Sequence, residues 1–174
     1  VSLLVLGYPN ISQDDLNWIQ TVRTEHDELY YEVVTPHFTI VFPVLNIDRA
    51  KFVEHVKLQA RGFKKIAFVL RCAVIVKDTF NEYTHVFLVP DEGYSDIVKV
   101  HDKLYSGQLA SELRLDIPFI PHMGIGNAVD PHVCKKLADD LNQQAFAIEG
   151  VIETLDVVWY GGSKVNTVEQ IELA

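Results

Sequence analysis

The sequence predicts an α+β fold: a duplicated, bilobal arrangement in which two antiparallel sheets face a central cleft with helices on the outside. Three observations lead there. Hydrophobic periodicity alternates between strand-like and helix-like along the chain, giving the order β-α-β-α-β-β-α-β-α-β-β. A short phrase occurs twice, as Pro36-His37-Phe38-Thr39-Ile40 and as Pro121-His122-Met123-Gly124-Ile125. Each copy opens a strand, which is followed directly by a capped helix and then by a pair of strands. Residues 1–174 are therefore expected to form one two-lobed domain.

Val1 to Leu6 is a β-branched and leucine-rich run closed by the turn Gly7-Tyr8-Pro9-Asn10. Ser12 with Asp15 starts a helix whose stripe of Leu16, Ile19, Gln20, Val22 and Arg23 carries it to about His26. Leu29 to Val34 reads as a connector or short strand, and His37 to Val44 as a strand rich in Thr, Ile, Val and Phe. Asp48 caps the next helix, which stops at Gly62. Ile66 to Val76 is a long apolar run and reads as a buried strand, returning through a turn as Tyr83 to Val89. Ser95 begins a helix that ends near Gly107, and Gln108 to Phe119 is looser. Asp130-Pro131 is a strong helix start after the second motif strand. Val151 to Tyr160 then reads as one strand, turned by Gly161-Gly162 into a last one, Val165 to Leu173.

Composition bounds the function. At 48% hydrophobic and 22% charged residues this is ordinary globular material. No apolar run approaches the roughly 18 residues of a membrane span, and no secretory signal is visible. Cys72 and Cys134 lack metal-ligand spacing and read as small core residues in a reducing compartment, so cytoplasm is the expected location. A net charge of −9 argues against a protein that tracks a long duplex. The expected partner is a small ligand or a nucleic-acid end, with no membrane and no cofactor.

Of the seven histidines, five have plain structural readings. His26, His55 and His132 read as surface residues, His85 as a packed, hydrogen-bonded side chain, and His101 as an ordinary helix residue. His37 and His122 differ. A strand points residues i and i+2 to one face, so His37 shares its face with Thr39, and His122 with Gly124. Phe38 and Ile40, or Met123 and Ile125, point the other way. Two imidazoles from matching strands, if they meet across a pseudo-two-fold axis, would form a paired acid/base site, which is the expectation here.

His37-Phe-Thr39-Ile and His122-Met-Gly124-Ile resemble the paired His-x-Thr/Ser-x motifs of the two-histidine (2H) phosphoesterase superfamily, which includes RNA 2′,3′-cyclic phosphodiesterases and 2′-5′ RNA ligase-like proteins. The two copies lie 85 positions apart, and the resemblance extends over nearly the whole chain. It implies metal-independent hydrolysis of a 2′,3′-cyclic phosphate or a 2′-5′ phosphodiester, on a nucleotide or RNA end. In that scheme His37 and His122 are the catalytic acid and base, while Thr39 and the residue at 124 bind substrate. Neither a metal nor another cofactor is required.

Gly124 departs from the pattern, because Thr or Ser is usual there. The alternative is therefore a binding module that holds a nucleotide or RNA end without turning it over. Gly126 is expected on the same face, leaving room beside His122 for a bulkier substrate group or for a tyrosine or arginine, with Tyr160 and Arg71 as candidates.

Overall fold

A computed structural model describes residues 1–174, the whole of the sequence. In chain order its elements are β1 (Ser2–Gly7), β2 (Pro9–Ile11), α1 (Gln13–His26), β3 (Phe38–Leu45) and α2 (Arg49–Gln59). There follow β4 (Ile66–Lys77), β5 (Thr84–Glu92), α3 (Tyr94–Leu104) and a 3₁₀ turn (Gly107–Glu112). The chain ends with β6 (Met123–Ala128), α4 (Pro131–Asn142), β7 (Ile148–Ile152), β8 (Thr154–Tyr160) and β9 (Val165–Glu172). Two antiparallel sheets result, the first ordered β3-β1-β8-β9 and the second β2-β7-β4-β5-β6. Each histidine phrase leads into an edge strand, β3 in the first sheet and β6 in the second.

The halves exchange strands. After α2 the chain crosses to the second sheet as β4, and after α4 it returns to the first as β8. The expected single strand 151–160 is accordingly two strands, one in each sheet, changing over at Glu153. That crossing uses neither Gly nor Pro, so the apolar run gives no sign of a break. The expected turn at residues 9–10 is the short strand β2, paired with β7 through Asn10 and Val151. Its proline is tolerated because β2 lies at the sheet edge.

Helix starts follow the capping logic. The Ser12 hydroxyl accepts from Asp15 N–H at 3.1 Å, Asp48 from Lys51 N–H at 3.0 Å, and Asp130 from His132 N–H at 2.9 Å. The helix α3 starts one residue before Ser95, directly after Gly93, whose φ is 87°. A Cβ there would also lie 2.4 Å from the Ala67 carbonyl oxygen, so only glycine fits this corner. On the second sheet α1 packs on β6 and α4 on β4 and β5, while α3 packs on β3 of the first. The apolar core runs continuously from one sheet to the other. Where they meet, Phe38 and Phe68, both buried, contact edge to face at 4.9 Å.

One histidine, His55, departs from its expected place at the surface, while His101 is the structural helix residue it reads as. His55 is buried, with Nε2 2.8 Å from the Leu104 carbonyl, because α2 turns that face onto α3. His101 is likewise buried, held by the Ile40 carbonyl at 2.8 Å and stacked on Phe119 at 3.5 Å. Cys134 is buried, as expected of a core cysteine, whereas Cys72 is exposed. The run 66–76 buries only one face, and Cys72 belongs to the other, paired with Val89. No helix is long and apolar enough to cross a membrane.

Candidate functional site

The two histidine phrases adopt the same local geometry. His37 immediately precedes β3, and its Nδ1 lies 2.8 Å from the carbonyl oxygen of Thr35. His122 immediately precedes β6, and its Nδ1 lies 2.5 Å from the carbonyl oxygen of Ile120. A carbonyl only accepts, so in both rings Nδ1 carries the hydrogen and donates it two residues back. Both tautomers are thereby fixed, and Nε2 is left for a ligand in each. The duplication extends to a bulge three residues after each histidine. Between Leu6 and Val5 of β1 the partner in β3 changes from Thr39 to Val41, leaving Ile40 extra. Between Phe87 and Val86 of β5 the partner in β6 changes from Gly124 to Gly126, leaving Ile125 extra. Both isoleucines are fully buried. Paired bulges of this kind re-aim the start of a strand.

Beyond the backbone the half-sites differ. Thr39 is half-buried and sits opposite Leu6, next to His37 along the strand. Gly124 sits opposite Phe87, and the Phe87 ring stacks on His122 with centroids 3.6 Å apart and planes at 14°. A Cβ at position 124 would touch that ring at 4.0 Å. The room expected beside His122 is therefore filled by Phe87 and not by Tyr160 or Arg71. The Arg71 guanidinium is committed to Asp91 and Glu92 at 2.6 Å each, and Tyr160 lies in β8 opposite Ser2. Gly126 does not share the face of Gly124. The extra residue Ile125 reverses the alternation, and a Cβ on Gly126 would meet Leu137 of α4 at 2.9 Å. Asn127, paired with His85, takes the cleft side instead.

Two neighbours escaped the sequence reading. Phe87 was legible in principle, since it alternates with His85 on one strand face. Tyr8 was hidden in what reads as a turn. Its ring lies 6.4 Å from His37 at 65°, and burial together with the nearby Asp156 carboxylate pushes its phenol up to about 12. Tyr8 thus remains a protonated hydroxyl beside His37 across the neutral range.

Both imidazoles keep a part-exposed edge but are surrounded by protein on most sides. Burial is the main reason that each is lowered to about 4. The Thr35 and Ile120 carbonyls oppose this by favouring the protonated rings. Arg23 lowers His37 further, while Asp27 acts the other way. His122 is lowered by the charge that His37 and His85 would carry. The two candidate rings are thus within electrostatic reach of each other. Without a ligand both are neutral at pH 7, which suits a base and leaves the acid to be created by an anion.

Beneath His37 lies a buried polar network. The Arg23 guanidinium donates to Asp27 at 2.8 Å, to Gln20 at 3.1 Å and to the Val34 carbonyl at 2.8 Å. Asp27 accepts in turn from Asn127 of β6 at 2.7 Å. The loop that holds His37 is in this way tied to the strand that follows His122. His85, the expected packed histidine, pairs with Asp78 at 2.8 Å and stacks on Phe87.

The architecture recurs in solved structures. TT0787 of Thermus thermophilus superposes with a TM-score of 0.65 at 12% identity, over 99% of this chain and 98% of the other. Kluyveromyces marxianus Usb1 gives 0.60 at 9% identity, over 99% and 98%. E. coli LigT in its apo form gives 0.56 at 16% identity, over 99% and 97%. No curated protein matches the chain in sequence. At such identities these likenesses speak for the fold. A sequence model of the 2′-5′ RNA ligase superfamily, however, matches residues 11–164, a stretch that contains both histidine phrases. By that match and by its duplicated histidine-bearing sheets, the chain belongs to the 2′-5′ RNA ligase superfamily.

Proposed function

We propose that this protein is a phosphodiesterase that opens a 2′,3′-cyclic phosphate on a nucleotide or RNA end, with His37 and His122 as paired acid and base. The observation that carries this reading is the matched pair of imidazoles, each with Nδ1–H tied to a backbone carbonyl and Nε2 left free. One neutral Nε2 takes a proton from water as the water oxygen bonds to phosphorus. The bond from phosphorus to one ribose oxygen breaks, and the other imidazole, protonated, delivers its Nε2 proton to that oxygen. The product is a phosphate monoester, and the two rings have exchanged protonation states. As charge builds on the non-bridging oxygens, Thr39 is the side chain to donate to them. The Tyr8 hydroxyl is a second donor on the same side.

The substrate is read as small. The overall charge is −9, and E. coli LigT has been crystallised with 3′-AMP, ATP and NADP+. The test is a product assay, without added metal, on a panel of 2′,3′-cyclic nucleotides and 2′-5′-linked oligonucleotides. Conversion of a cyclic nucleotide to a monoester is expected. Saturable binding with no product between pH 5 and 8 would instead establish the binding-module reading.

One observation favours that second reading. The second half-site has no hydroxyl, and Phe87 covers one side of His122. Gly124→Ser separates the two. Gly124 has no left-handed φ, and the new Cβ meets Phe87 only at ordinary contact distance, so the variant is expected to fold. A well-placed donor is worth about 2.7–4 kcal/mol in the transition state. Because Phe87 competes for the space, a gain of roughly tenfold in kcat is expected, a fraction of that ceiling. Unchanged binding with still no turnover would count against catalysis.

A further inference from the structure

Four rings stack in a row on the cleft side of the second sheet. The Tyr30 ring lies on His85 with centroids 6.3 Å apart and planes at 21°, and His85 lies on Phe87 at 5.7 Å and 20°. Phe87 in turn lies on His122 at 3.6 Å and 14°. The strand registers explain the order. His85 and Phe87 are alternate residues of β5, opposite Asn127 and Gly124 of β6. His122 precedes β6, so it falls on the side of Phe87 away from His85. An aromatic side chain can reach such a diagonal neighbour across an antiparallel pair when the residue between them is small. Gly124 is that residue: a Cβ there would lie 4.0 Å from the Phe87 ring.

The far end of the row is fixed. His85 Nε2 is 2.8 Å from a carboxylate oxygen of Asp78, and the other oxygen of Asp78 accepts from Phe80 N–H at 2.8 Å. Tyr30 N–H donates to Asp27 at 3.0 Å. The segment that carries Tyr30 also supplies the Thr35 carbonyl that orients His37. The first half-site has no such row. Leu6 stands opposite Thr39 as Phe87 stands opposite Gly124, and it is buried under Val34 and Val158. The ring that meets His37, Tyr8, does so edge-on at 6.4 Å and 65°.

A hydrogen bond from Nδ1 fixes the direction of one ring atom and leaves the ring free to turn about that bond. The last torsion of histidine has broad wells and adds little restraint. A flat contact removes the freedom, because turning the ring out of plane drives it into a close-packed neighbour. It also sets the negative face of a π system against an imidazole that becomes positive when protonated.

We infer that Phe87 is a positioning residue for His122, holding the plane of the ring so that Nε2 keeps one direction. Gly124 is then the residue that lets Phe87 reach His122. The inference rests on the phosphodiesterase reading above. Phe87 touches neither the attacking water nor the phosphate in that scheme and acts through His122.

The experiment compares wild type with Phe87→Leu, which keeps apolar bulk without the ring, and Phe87→Tyr, which keeps the ring. Kinetics on a 2′,3′-cyclic nucleotide are measured alongside thermal unfolding. The imidazole protons of His122, assigned by their absence from His122→Ala, are read by NMR on the same samples. In the wild type they are expected upfield, in the ring current of Phe87; no upfield shift there overturns the inference without any variant. Phe87→Leu is expected to lose that shift and about tenfold in kcat, with KM within about twofold. Phe87→Tyr is expected to recover most of both. A folded Phe87→Leu with kcat within about twofold of wild type overturns the inference, as does a loss confined to KM. An equal loss in both variants overturns it too, since space filling would then suffice. If the wild type turns over no cyclic nucleotide, the phosphodiesterase reading falls, and the His122 resonances alone decide whether Phe87 holds the ring.

Discussion

His37→Ala and His122→Ala are each expected to lower kcat for a 2′,3′-cyclic nucleotide by about 10²–10⁴-fold while leaving the fold intact. The magnitude is that of losing one positioned acid or base. Structure is expected to survive because each ring faces the cleft and keeps an exposed edge. What is lost from the fold is one hydrogen bond to a backbone carbonyl, worth about 1 kcal/mol, or a fall in Tm of about 2–4 °C for a chain of this size. The double variant is expected to be little worse than the worse single one, since acid and base act in one step and their effects do not add. Retention of more than about a tenth of the activity in either single variant would remove paired acid/base catalysis from consideration. Thermal unfolding of the same samples distinguishes lost chemistry from lost structure.

The sequence made the site's backbone legible and its side-chain surroundings only in part. Alternation placed His37 with Thr39 and His122 with Gly124, and the strands run almost where periodicity put them. The bulges at Ile40 and Ile125 carry no sequence mark, because isoleucine is an ordinary strand residue. One of them moved Gly126 to the helix side, which strict alternation does not foresee. Tyr8, just after β1, and Phe87 of β5 are distant in sequence from the histidines, and only the pairing of β1 with β3 and of β5 with β6 brings them together. The same holds for Arg23. Its place on the stripe of α1 is legible, but its burial under the loop after its own helix, with bonds to the Tyr30 and Val34 carbonyls, is not. The change of sheet at Glu153 was hidden for a related reason: both strands are apolar, and nothing between them demands a turn.

The second large effect expected is on pH dependence, and its sign follows from the lowered imidazoles. Both His37 and His122 lie at about 4 in the free protein, against 6.5 for an unperturbed ring. The proposed acid/base mechanism needs one protonated and one neutral ring. Above pH 5 the singly protonated form of the free protein falls about tenfold per pH unit, so kcat/KM is expected to drop roughly 100-fold between pH 5 and 7. The profile of kcat should be flatter. A phosphate anion bound between the rings favours the charged imidazole and raises the acid in the complex. The two profiles therefore separate, and the gap between them measures how strongly substrate charges its own acid. Histidine NMR titration checks the origin directly: both rings should titrate well below 6.5 alone, and at least one should move up on adding adenosine 3′-monophosphate. Stability has the opposite slope. The unfolded chain takes up these protons near pH 6.5 and the folded protein only near 4, so the contribution of the neutral rings is full above 6.5 and is lost as pH falls toward 4. Activity per free protein thus rises toward acid as the fold weakens, and the working optimum lies where the two meet. A kcat/KM profile centred between pH 6.5 and 7, with both rings titrating there, would mean that burial does not govern these histidines.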